Sequence, residues 1–218
     1  MEDSFEKSGR MESRALRESI VMDRRPVREL EKFAVKFFAE NPDGVELGPG
    51  VPVFHRWIQT HSVPGILIDV ADYRHVPEGP GVVLVGHEAD YSLDRSEGPL
   101  GLLYVRKRPQ GGALSERLQT AFWSALQACE RLEAEPEFRG RLRFRRDDPL
   151  LVLNDRLLAP NTPATYEAVK PELEAALGQV YPGRAIGLRR EEGDPRRRLA
   201  VAIRVSGAPG DRGAGPGT

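Results

Sequence analysis

Residues 65–108 read GILIDVADYRHVPEGPGVVLVGHEADYSLDRSEGPLGLLYVRKR, and this stretch decides the fold. Three apolar runs, GILIDV (65–70), GVVLVGHE (81–88) and LGLLYVRKR (100–108), have strand length and are bounded by Gly, Pro and Asp. The first two are almost continuously apolar, which predicts burial on both faces. DYRHVPEGPG (72–81) joins them and is too short for a parallel crossover, so the pair reads as an antiparallel hairpin. The stretch from Asp90 to about Pro99 reads as the loop to the third strand.

Working outward, Phe33, Val35 and Phe37 alternate as a half-buried strand does. NPDGVELGPG (41–50) is loop, and Phe54, Trp57, Ile58 and His61 then mark one face of a short helix. The longest helix is LSERLQTAFWSALQACERLEAE (114–135), striped by Leu114, Leu118, Phe122, Leu126, Cys129 and Leu132 and stopped at Pro136. RLRF (141–144) and LLVL (150–153) read as short strands, with a turn at Asn154-Asp155. Thr162-Pro163 starts a third helix, striped by Tyr166, Val169, Leu173, Leu177 and Val180. Pro171 predicts a kink or break in it, and Pro182-Gly183 ends it. RAIGLRR (184–190) and RLAVAIRV (198–205) close the chain as strands.

The order β-α-β-β-β-α-β-β-α-β-β predicts an α+β fold, a mostly antiparallel sheet with helices packed on it. Residues 1–25 read as a flexible leader, with Met11 and Met22 as alternative starts, 26–206 as one domain, and 207–218 as a disordered Gly/Pro-rich tail. A subdomain division near 109–112 fits the Pro and Gly there.

The 218-residue chain is long enough for a core without staples, and its net charge of −1 argues against a dedicated nucleic-acid or membrane-surface protein. No apolar run reaches the ~20 residues that span a bilayer. Cys129 is the single cysteine, which excludes a disulfide framework or a cysteine metal cluster, and the acidic start is no signal peptide. The expected compartment is the cytoplasm. PVFHRWIQ (52–59), LIDVADY (67–73) and GPGVVLVGHEADY (79–91) resemble a bacterial protein family of unassigned activity. The resemblance covers about the first half of the domain and implies no activity, cofactor or partner.

All four histidines (His55, His61, His75 and His87) fall between residues 55 and 94, beside Asp69, Asp72, Glu88, Asp90 and Asp94. Imidazoles with carboxylates bind zinc or manganese or supply a general acid and base. In a hairpin, Asp69, Asp72 and His75 lie at the far end from His87, so they share no metal with it. The candidate set is therefore His61, His87, Glu88 and Asp90 as metal ligands, with His87 and Glu88 catalytic. His61 is expected on the apolar helix face, turned to the sheet. No HExxH motif is present, and structural roles for these histidines weigh heavier.

Gly48-Pro49-Gly50 and Gly79-Pro80-Gly81 read as turns and Asp69 as a solvated strand-end acid, while Cys129 reads as a buried inert thiol. Trp57, Phe122 and Trp123 read as core. Arg139, Arg141, Arg143, Arg145 and Arg146 form one basic cluster and Arg196, Arg197 and Arg198 a second, both blunted by flanking acids. The leading expectation is a non-enzymatic binding or accessory protein engaging a protein partner or a small ligand. The alternatives are a metal-dependent hydrolase at His87 and Glu88, and a weak phosphate or nucleic-acid binder through the arginines.

Overall fold

The computed structural model describes residues 25–194 and 196–207. Apart from Arg25 and Gly207, the expected leader and tail lie outside the described residues. The elements run α1 (Arg25–Arg28), β1 (Phe33–Phe38), α2 (Gly50–Thr60), β2 (Leu67–Tyr73), β3 (Gly81–Gly86), β4 (Ala89–Asp94), β5 (Gly101–Arg106), α3 (Leu114–Ala134), β6 (Leu150–Leu153), α4 (Pro163–Val180), β7 (Ala185–Arg190) and β8 (Ala200–Ser206). The strands form one antiparallel sheet in the order β2-β3-β4-β5-β1-β6-β8-β7. The fold is therefore α+β, with helices packed on an antiparallel sheet. No described helix is long and apolar enough to cross a membrane.

Strand β1 sits centrally, and its alternation sorts the two faces. Phe33, Val35 and Phe37 point into the main core with α2, α3 and α4. The Phe37 and Phe122 rings meet edge to face at 6.4 Å. Trp57 joins α2 to the end of α3 by donating Nε1–H to Glu135 at 2.6 Å. The register then carries one row across all eight strands on the other face: Ala71, Val83, Ser92, Leu103, Lys36, Leu150, Ala202 and Arg189. None of α2, α3 or α4 packs there, and Ala34, Leu103 and Val152 form a small second apolar cluster on it.

Several elements differ from the sequence reading. The segment ADYSLD, expected as loop, is β4. Ala89, Tyr91 and Leu93 are buried on the helix side, while Ser92 and Asp94 are buried on the other. RLRF contributes one isolated bridge, Ala39 to Phe144, with Arg141 and Arg143 exposed. β1 is buried on both faces, not half-buried. β2, expected to be buried on both faces, is an edge strand with Asp69 and Tyr73 exposed.

Helix α4 begins as expected, the Thr162 hydroxyl accepting from the Thr165 N–H at 3.2 Å. It runs through Pro171 without a break. Pro171 is exposed, so water can satisfy the carbonyl its missing N–H leaves free. Gly183, at φ +75°, turns the chain out of the helix. Trp123 lies outside the core, with its side chain exposed on the outer face of α3.

Candidate functional site

The β3–β4 turn carries His87 and Glu88. His87 is exposed, and its backbone N–H donates to Ile66 O at 2.8 Å. The Glu88 carboxylate accepts from the Ile66 N–H at 3.2 Å, and that bond holds its pKa below the usual glutamate value. Asp90 accepts from the Gly86 N–H at 3.0 Å and pairs with Lys107 at 2.7 Å. Both carboxylates are thus engaged by protein donors. His61 does not face the sheet: α2 ends at Thr60, and His61 is an exposed left-handed cap at φ 49°. His55 and His75 are exposed as well. Among the described residues, no group of three or more His, Cys, Asp or Glu side chains is arranged to hold a metal ion. Cys129 is fully buried, and desolvation pushes its thiol pKa well up, which leaves it unreactive.

Two adjoining concavities lie on the sheet face away from α2, α3 and α4, over β6, β8 and β7. One, of about 1000 Å³, is floored by Val152 and Ala200 and walled by residues 96–97, 191–194 and 196–198. A second, of about 590 Å³, is floored by Leu150, Gly187 and Ala202, with Phe38 at its side. The two share Glu97, Glu191 and Ala200, so they form one trough. Its apolar end comes from small side chains on paired strands, and its polar end carries Arg156, Arg196, Arg197 and Arg198. Arg198 donates to Asn154 at 2.9 Å and also binds the Glu97 carboxylate, bridging the trough walls. Arg189 pairs with Glu191 at 2.8 Å.

Glu97 is held from below. Lys36 and Asp94 form an ion pair at 2.8 Å with no side-chain exposure on either partner. Asp94 also accepts from Ser96 Oγ at 2.6 Å and from the Glu97 N–H at 3.2 Å. Burial lowers the Lys36 pKa, while the Asp94 charge and hydrogen bond oppose that shift. Gly101 leaves room for the lysine, since a Cβ there would stand 2.9 Å from Lys36 Cε and 2.4 Å from Phe37 O. A chain of contacts therefore runs from the middle of the sheet through Asp94 and Glu97 to Arg198.

Beside the polar end lies a concavity of about 700 Å³ lined by Lys32, Asn154, Asp155, Arg156, Leu157 and Arg196. Asp155 accepts from the Leu157 and Leu158 N–H groups, each at 3.1 Å, and Asp194 accepts from the Arg196 N–H at 2.8 Å. Asp155 is the one acid in that lining beside Lys32, Arg156 and Arg196, so the lining carries more positive than negative charge. The sequence clusters thus separate. Arg196, Arg197 and Arg198 belong to the trough, whereas Arg145 and Arg146 pair with Asp148 and Glu133.

Sequence reasoning missed Lys36, Glu97 and the trough floor, and grouped Asp94 with the acids beside the histidines. The signal for Lys36 was present, a lone charge inside FAVKFF, but its partner lies 58 residues away. No protein-family model matches the chain, and no curated protein matches it significantly.

Proposed function

We propose that this chain is a cytoplasmic, non-catalytic binding protein that holds an extended segment of a protein partner in the trough over β6, β8 and β7. One observation carries the reading: the two concavities join over Ala200 into a groove that is apolar at one end and at the other carries four guanidinium groups among four carboxylates, those of Glu97, Glu191, Glu192 and Asp194. Concave surfaces with an apolar floor and a few convergent polar groups are the usual form of binding sites. A segment with apolar side chains followed by polar and charged ones matches both ends. The compartment is supported by the lone, free, buried thiol of Cys129, which is stable under reducing conditions.

The test is photo-crosslinking in the producing cells, with a benzophenone amino acid at Ala200, Ala202 or, as control, exposed Gln127 on α3. A discrete protein adduct at the two trough positions and none at Gln127 is the expected result. Equal patterns at all three positions, or no adduct at all, would sink the proposal.

A second reading, binding of a phosphate-bearing ligand, is favoured by the basic concavity between Lys32, Arg156 and Arg196. It predicts retention on heparin that weakens with salt and is lost in Arg156→Ala/Arg196→Ala. Passage of the wild-type protein straight through at low salt would remove it.

A further inference from the structure

Six large apolar side chains stand exposed among the described residues, and four of them, Ile66, Ile68, Tyr73 and Val76, lie on β2 or beside it. Ile66 and Ile68 are 63% and 57% exposed, far more than packing within this chain would leave. β2 is the first strand of the sheet, and no described strand bonds its outer edge. On the open face the half-buried Val83 and Val85 extend this apolar strip inward.

Edge strands are ordinarily blunted by charge or by a bulge. β2 has a register shift between Leu67 and Asp69, and it has two aspartates. Both aspartates are locally engaged. Asp72 is gripped by Arg74 at 2.6 Å, and Asp69 accepts from the Val70 N–H at 2.7 Å. The edge therefore keeps apolar side chains together with backbone groups that no described strand pairs, and Arg74 offsets the charge of Asp72.

We propose that this edge is a homodimerisation surface, to which a second copy adds its own β2 antiparallel. Self-complementarity selects the occupant. Centred on Val70, which meets its own copy, and with the irregularity between Leu67 and Asp69 setting Ile68 and Asp69 together against Ala71, the pairing places Ile66 opposite Tyr73 of the other copy and Leu67 opposite Asp72. No acid opposes an acid. Parallel in-register stacking would instead oppose Asp69 to Asp69 and Asp72 to Asp72, which repels. A two-fold pairing uses the edge on both copies and closes at the dimer. A net charge of −1 adds little long-range repulsion. Both troughs then open on the same side of one continuous sheet, although the inference does not depend on what the trough binds.

The experiment is sedimentation velocity of the full chain from about 1 to about 300 µM, a range that brackets micromolar association. Ile68→Lys is compared with Leu157→Ser, which removes an exposed leucine far from β2. The wild type and Leu157→Ser should convert alike to dimer, with the dissociation constant raised roughly tenfold or more in Ile68→Lys. In case Ile68→Lys disturbs the edge itself, the paired variant Ile68→Cys/Ala71→Cys is oxidised and run on a non-reducing gel. A dimer band formed by the pair and absent from either single variant supports the register. A wild type that stays monomeric throughout, a dimer insensitive to Ile68→Lys, or a dimer lost in Leu157→Ser would overturn the proposal.

Discussion

Replacing Lys36 by methionine keeps most of the side-chain volume and removes the charge that faces Asp94 in the middle of the sheet. The pair is fully excluded from solvent. Breaking a buried pair from one side leaves an uncompensated charge and costs about 3–5 kcal/mol. Asp94 keeps two other donors, Ser96 Oγ and the Glu97 N–H, so the expected loss lies at the lower end, about 3 kcal/mol. With a urea slope of about 2 kcal/mol/M, the midpoint falls by roughly 1.5 M. Lys36→Met/Asp94→Leu should cost clearly less than the two single changes added together, because no lone charge remains. Equilibrium urea unfolding followed by circular dichroism reads both quantities. A single-variant loss under about 1 kcal/mol, or additive losses in the double variant, would refute the view that the two charges depend on each other.

Other outcomes follow from the same geometry. The Asp72 carboxyl is held at about 2 by hydrogen bonds from Arg74, and the Glu88 carboxyl is lowered by the Ile66 N–H. Both folded-state values lie below the unfolded ones, so this stability is complete above the unfolded values and is lost as pH falls through the folded ones. Asp148, raised by burial, works in the opposite sense. The melting temperature should therefore drop between pH 3.8 and about 2 less steeply in Arg74→Ala than in the wild type; equal slopes would contradict this. Untagged protein and His87→Ala should both carry far less than one zinc or manganese per chain by elemental mass spectrometry. A full equivalent lost in the variant would restore the metal-enzyme reading. Thr162→Ala should cost about 1 kcal/mol by removing the α4 cap, and an unchanged urea midpoint would count against that bond.

Much of the fold is legible because apolar periodicity is local. The stripes of α3 and α4 and the Thr162-Pro163 start can be read within single segments. β4 was lost because Asp90, Ser92 and Asp94, taken as loop formers, occupy the second face of a strand. Their partners are Lys107, just past β5, Leu103 O on β5 and Lys36 on β1, none of them local in sequence. His61 was misplaced by one residue: α2 stops at Thr60, and a left-handed cap re-aims whatever follows. The trough was only half visible. Its arginines stand out in the sequence, but their approach to Asn154 and Glu97 depends on β8 pairing with β6 and β6 with β1. Those pairings are long-range, and nothing local encodes them.

The central place of β1 has a consequence for how the chain is made. Phe33 pairs with Arg106 on one side and Leu153 on the other, so both neighbours of β1 are synthesised long after it. At translation rates of 5–20 residues per second, FAVKFF waits roughly 4–15 s for its first partner and longer for its second. Such a window, apolar and prone to pair with other chains, is an aggregation hazard while it waits. Lys36 is the one charge in that window. In the nascent chain it is solvated and keeps the segment apart from its neighbours, and only docking against Asp94 takes it out of water. The residue that is costly to bury at the end of folding is thus the gatekeeper of the strand at the beginning.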